Sequence, residues 1–103
     1  MMTLIVNKSA LGEVGYVEER QLSRGREFVF YTLFDLGTTA GQVTIEGAHD
    51  AAFTGTWASL SKVNWAAGNR VHHTAVTGVH AAVRVRVSIG IANGTVSVYA
   101  IGN

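Results

Sequence analysis

The sequence predicts an all-β fold, an antiparallel β-sandwich of jelly-roll-like form in a single domain spanning residues 1–103. Three observations lead there. Apolar residues recur at every second position in several short runs, the period of a strand with one buried face. Those runs are punctuated by glycine and asparagine, and with twelve glycines and no proline in the chain the turns must rely on glycine. No stretch sustains a 3.6-residue period with capping residues, which limits any helix to a turn or two. At 103 residues, 48% of them hydrophobic, the chain is long enough for one core.

The elements follow in chain order. "MTLIV" near the start reads as a first strand. The polar stretch "VEERQLSRGRE", Val17 to Glu27, breaks the strand pattern and reads as an exposed loop or an arm. "REFVFYTLF" (Arg26 to Phe34) and "GQVTIEG" (Gly41 to Gly47) are rich in aromatic and β-branched residues and flank the loop "DLGTTAG". "TGTWASL" and "RVHHTAV" supply two more strands, with "AAGN" as the turn before Arg70. In "HAAVRVRVSI", Val83, Val85, Val87 and Ile89 alternate with Arg84, Arg86 and Ser88. Asn93-Gly94 is a strong signal for a two-residue hairpin, because a type I′ turn needs positive φ at both central residues. That hairpin sets Ile91 against Val96, Ile89 against Val98 and Val87 against Ala100 on an apolar face, and Ser88 against Tyr99 on the other. A three-residue loop at Thr77 to Val79 similarly sets Val71 against Val85 and His73 against Val83. Its polar face then gathers Arg70, His72, Arg84 and Arg86.

Cations across a ladder repel, so that face calls for carboxylates, a phosphate backbone or an aromatic lid. The charge layout suggests the source. Residues 1–50 hold all seven acids against four basic residues, whereas residues 51–103 hold Lys62, Arg70, Arg84 and Arg86 and no acid. Carboxylates of the amino-terminal half can therefore neutralise the arginines, within the same chain or from a neighbouring subunit. A net charge of +1 without lysine clusters argues for protein contact over nucleic acid as the partner. The absence of cysteine excludes disulfides and thiolate metal sites and fits synthesis in a reducing cytoplasm. "MMTLIVNKSALGEVG" is too short of apolar residues for a signal-peptide core or a membrane span, so a soluble protein that is not exported is expected.

No catalytic constellation stands out. His72 and His73 are adjacent on a strand and point to opposite faces, so with His80 they make a poor metal site. Glu18-Glu19 and Glu46 near Asp50 have no nucleophile or histidine at a recognisable spacing. An enzyme is not expected, nor a cofactor or metal. Trp57 and Trp65 read first as core or subunit-interface packing, with stacking on sugar rings as the alternative.

The segment "GQVTIEGAHDAAFTGTWASLSKVNW", followed after a gap by "AAVRVRVSIGIANGTVSVYAIGN", resembles the small β-sandwich virion proteins of tailed bacteriophages. In those proteins a "VTIEG" strand leads into a tryptophan-containing segment, and a "VRVRV" strand precedes a Gly-Thr-Val hairpin. The likeness covers Gly41 to Asn103. It implies a capsid decoration, or cement, protein on the virion surface, made in the host cytoplasm, with the major capsid protein as partner and a homotrimer as the oligomer. A neck or tail accessory, or a carbohydrate- or receptor-binding module, is the alternative. Arg70, Arg84, Arg86, Trp57, Trp65 and Tyr99 are the candidate interface residues. Replacing Arg84 and Arg86 by serine is expected to weaken assembly and spare the fold, since neither belongs to the apolar row.

Overall fold

The computed structural model describes residues 2–17, 28–48, 57–76 and 82–102. They form eight strands: β1 Met2–Lys8, β2 Val14–Val17, β3 Phe28–Phe34, β4 Ala40–Ala48, β5 Ala58–Asn64, β6 Val71–Val76, β7 Ala82–Ala92 and β8 Val96–Gly102. The strands build two four-stranded antiparallel sheets, in the orders β1-β8-β3-β6 (sheet A) and β2-β7-β4-β5 (sheet B). Of the consecutive strands, β4 and β5 alone pair with each other, and every other connection passes from one sheet to the other. This is the strand order of a jelly roll.

The core lies between the sheets and follows the alternation of the sequence. Val83, Val85 and Val87 of β7 and Val43 and Ile45 of β4 face Phe30 and Phe34 of β3 and Val96 and Val98 of β8, all buried. Phe30 and Phe34 bring the largest side chains, and valine fills most of the rest because branched residues pack well on a pleated surface. Gly15 lets β2 of sheet B pass close against β1 of sheet A. A Cβ there would collide with the Ile5 carbonyl and Val6 Cγ2 of β1.

The two expected hairpins do not form. β7 and β8 lie in different sheets, so Asn93-Gly94 is an arch between the sheets, and Ile89 does not face Val98. Of the two positive φ angles that a type I′ turn needs, Asn93 takes one, at 63°, and Gly94 takes none; Asn93 Nδ2 donates to Thr39 Oγ1 at 2.8 Å. One left-handed residue and an apolar row facing the core suit an arch between the sheets. β6 likewise pairs with β3 rather than β7, which separates Val71 from Val85 and His73 from Val83. The Thr77 to Val79 loop and residues 18–27 of the expected arm lie outside the described residues, while Val17 ends β2, a strand the sequence pattern missed.

Ile89 departs from the parity of its strand for a definable reason. Val43 pairs with Val87, Gln42 with Ile89 and Ala40 with Ala92, so β7 takes an extra residue at each of two successive irregularities. The first bulge turns Ile89 outward, 51% exposed, and the second restores the parity, returning Ile91 to the core.

Candidate functional site

The outer face of sheet B carries the arginines. Arg84 and Arg86 alternate with core valines on β7 and project away from the core, opposite Glu46 and Thr44 of β4. Glu46 is only 6% exposed. Its Oε1 accepts from Arg84 Nε at 2.6 Å, and Arg86 reaches the same carboxylate at 3.4 Å. The Arg84 guanidinium also lies 4.5 Å from the centroid of the Trp57 ring, a cation–π contact that shields the pair from water. Along the same face, Thr44 Oγ1 donates to Ser88 Oγ, which donates to Gln42 Oε1, and Gln42 Nε2 donates to Asn64 Oδ1, at 2.7–2.8 Å. The polar groups of this face are thus largely committed to one another.

The carboxylate that the arginine row required therefore comes from the chain's own β4. Glu46 belongs to the acidic half of the sequence, so at this point an acid of the first half meets two arginines of the second within one chain. Two expectations change. Arg70 and His72 do not join Arg84 and Arg86: they lie at and next to β6 of sheet A. The arginines are also the partners of a buried carboxylate, so their replacement is now expected to cost stability as well as to affect assembly.

The outer face of sheet A is of another kind. Leu4 of β1 pairs with Tyr99 of β8, Tyr99 with Tyr31 of β3, and Tyr31 with His73 of β6, forming a row across all four strands. The row on one side continues as Ser97, Leu33 and Val71, and on the other as Ile101, Val29 and Ala75. Leu4, Tyr31, Leu33 and Val71 are exposed, by 36–57%. No lysine, arginine, aspartate or glutamate of the described residues belongs to these rows. At the end of this face Arg70, Asp35 and Tyr99 border a hollow of about 190 Å³, with Leu33, Val71 and Ser97 in its wall. Arg70 Nη1 donates to the Phe34 carbonyl at 3.3 Å.

The six sequence-derived candidates are therefore distributed over two faces. Arg84, Arg86 and Trp57 stand together on sheet B, Tyr99 and Arg70 border the hollow on sheet A, and Trp65 packs partly buried against the core. Trp57 lies against Arg84 and Trp65 against the core, so both tryptophans have packing roles. The histidines obey strand parity: His72 makes an edge contact with the Phe34 ring, and His73 lies beside Tyr31 on the outer face. His80, Glu18, Glu19 and Asp50 lie outside the described residues. Among the described residues no three of histidine, cysteine, aspartate and glutamate are grouped to hold a metal ion. The sequence reading missed Leu4, Tyr31, Leu33 and Val71 as surface residues. Parity alone would have placed Tyr31 and Leu33 opposite Phe30 and Phe34, but it does not say which row is covered.

No family model and no curated protein matches the chain. It is similar to a solved structure from work on Bacillus endospore appendages, described as a family of disulfide-linked pili, with 17% identity, a TM-score of 0.49, and coverage of 97% of this chain and 84% of that one.

Proposed function

We propose that this chain is a structural protein of a virus particle: a capsid decoration module of a tailed bacteriophage that bridges shell subunits and reinforces the head. The observation that carries the association reading is the uncharged outer face of sheet A, where Leu4, Tyr31, Leu33 and Val71 are exposed in adjoining rows. Isolated apolar residues are ordinary on protein surfaces, but a contiguous patch is a feature of surfaces that meet other protein. On the opposite face the polar groups bond to one another, whereas sheet A presents its exposed apolar rows to the surroundings. The jelly roll itself hosts many functions. The particle assignment is supported instead by the resemblance of Gly41 to Asn103 to small virion proteins. In a decorated shell, many individually weak contacts act together, which suits a face of modest size.

Quantitative mass spectrometry of particles purified from the host strain that carries this sequence tests the assignment. A copy number near that of the major shell protein is the expected result. A handful of copies per particle would favour a neck or tail accessory, and absence from particles would overturn the proposal.

A further inference from the structure

A jelly roll leaves four edge strands, and an unprotected edge offers unpaired backbone groups to any passing strand. Three of the four edges here carry recognisable protection. β1 is bulged between Leu4 and Val6 and ends in Lys8, β2 has only four residues, and β5 is irregular where Ile45 gives way to Glu46 on its partner and displays Lys62. β6, "VHHTAV", has none of these: no lysine, no acid, no proline, and an unbroken register with β3 from Phe28↔Val76 to Leu33↔Val71.

The polarity of that edge can be worked out. Phe34 N donates to the Arg70 carbonyl at 2.8 Å, and the register advances in step from Leu33↔Val71. In an antiparallel ladder the bonded pairs alternate, so the backbone groups of His72 and Thr74 point to β3. Those of Val71, His73 and Ala75 point the other way, where sheet A has no further strand among the described residues.

We infer that β6 pairs antiparallel with β6 of a second copy about a two-fold axis at His73, joining the two A sheets into one continuous sheet. This inference rests on reading the chain as an assembling structural protein. The second copy is singled out by self-complementarity. With His73 opposite His73, Val71 falls opposite Ala75 and Ala75 opposite Val71. Every outward-pointing group then meets an outward-pointing group, making about six backbone hydrogen bonds with no change in either strand. The same residues present Val71, His73 and Ala75 on the outer face, so the apolar face of one copy runs into that of the next without a break. A charged peptide would find no complementary charge along this strand. An isologous contact gives a dimer, in place of the trimer that the sequence resemblance suggests.

Sedimentation velocity of the full chain, from about 10 to 500 µM, with two variants tests the inference. His73→Pro removes an outward N–H that the folded monomer does not use, and His73→Lys places like charges directly opposite at the axis. The parent should show a rising dimer fraction with concentration. Both variants should dimerise at least about tenfold more weakly, with the parent's circular dichroism and near-parent melting temperature. Leu4→Lys lies on the far edge strand and should leave the dimer intact. A parent that dimerises as well with either folded variant, or that loses its dimer to Leu4→Lys, would overturn the β6 contact while leaving the assembly reading standing. A parent that stays monomeric throughout would also overturn it. Absence from purified particles, in contrast, bears on the virion assignment and not on this edge. Should His73→Pro fail to fold, His73→Lys, which keeps the backbone donor, decides alone.

Discussion

Replacing Arg84 and Arg86 together by serine should cost this protein a sizeable part of its stability. The Glu46 carboxylate is 6% exposed, and these two guanidiniums contact it at 2.6 Å and 3.4 Å. Stripping one member from a fully buried pair typically costs ~3–5 kcal/mol. That figure must be reduced here, because the Arg84 and Arg86 side chains are 20% and 35% exposed and water reaches their outer ends. A loss of about 2–3 kcal/mol remains, to which the Trp57 contact contributes part. For a domain of this size, that corresponds to a fall in melting temperature of roughly 10–20 °C. Thermal and urea unfolding at neutral pH, followed by circular dichroism, provide the measurement. The mechanism has its own signature: adding Glu46→Gln to the double variant removes the stranded charge and should recover at least about half of the loss. A double variant that melts within about 3 °C of the parent, with no gain on adding Glu46→Gln, would refute the claim that the carboxylate depends on the arginines.

Other substitutions test the fold directly. Thr32 is fully buried on β3 and its hydroxyl has no hydrogen-bond partner among the described residues, so Thr32→Val should stabilise by about 1 kcal/mol in urea unfolding. Gly15→Ala should destabilise by about 1–3 kcal/mol or more, because the added methyl meets the Ile5 carbonyl and Val6, and the loss should appear as a lowered urea midpoint. Asn93→Ala should lose about 1–2 kcal/mol at a left-handed backbone position, whereas Asn93→Gly should lose less despite forfeiting the Thr39 bond.

The alternation of valines in β7 shows which side chains face the core, and the structure agrees at Val83, Val85 and Val87. Alternation is silent about which sheet a strand joins. Asn93-Gly94 illustrates the gap: the dipeptide allows the two positive φ angles of a type I′ hairpin, yet here Asn93 takes one and Gly94 none, and the chain crosses to the other sheet. The difference lies in nonlocal pairing of β8 with β1 and β3, which no short stretch encodes. β2 escaped notice because "VGYV" is too brief to establish a period. Ile89 sits off the expected face because two bulges shift parity along β7; Gly90, an interior glycine at the second, is the one sequence hint of them. The Glu46 pairing was closer to hand: Glu46 follows Ile45 on one strand as Arg84 precedes Val85 on another, so both sit on outer faces, and the charge split between the two halves pointed to their meeting. The exposed rows of sheet A were written in the sequence as well, but alternation in "FVFYTLF" leaves open whether Tyr31 and Leu33 face solvent or a second layer.

Amide hydrogen exchange of the full chain, resolved by residue with NMR and repeated at low and high protein concentration, tests the joining of copies through β6 most directly. The account predicts that the amides of Val71, His73 and Ala75 exchange rapidly when the protein is dilute and become protected as concentration rises, while those of His72 and Thr74, already bonded to β3, change little. Exchange at Val71, His73 and Ala75 that stays fast at every concentration, or protection that arises on β1 instead, would contradict it.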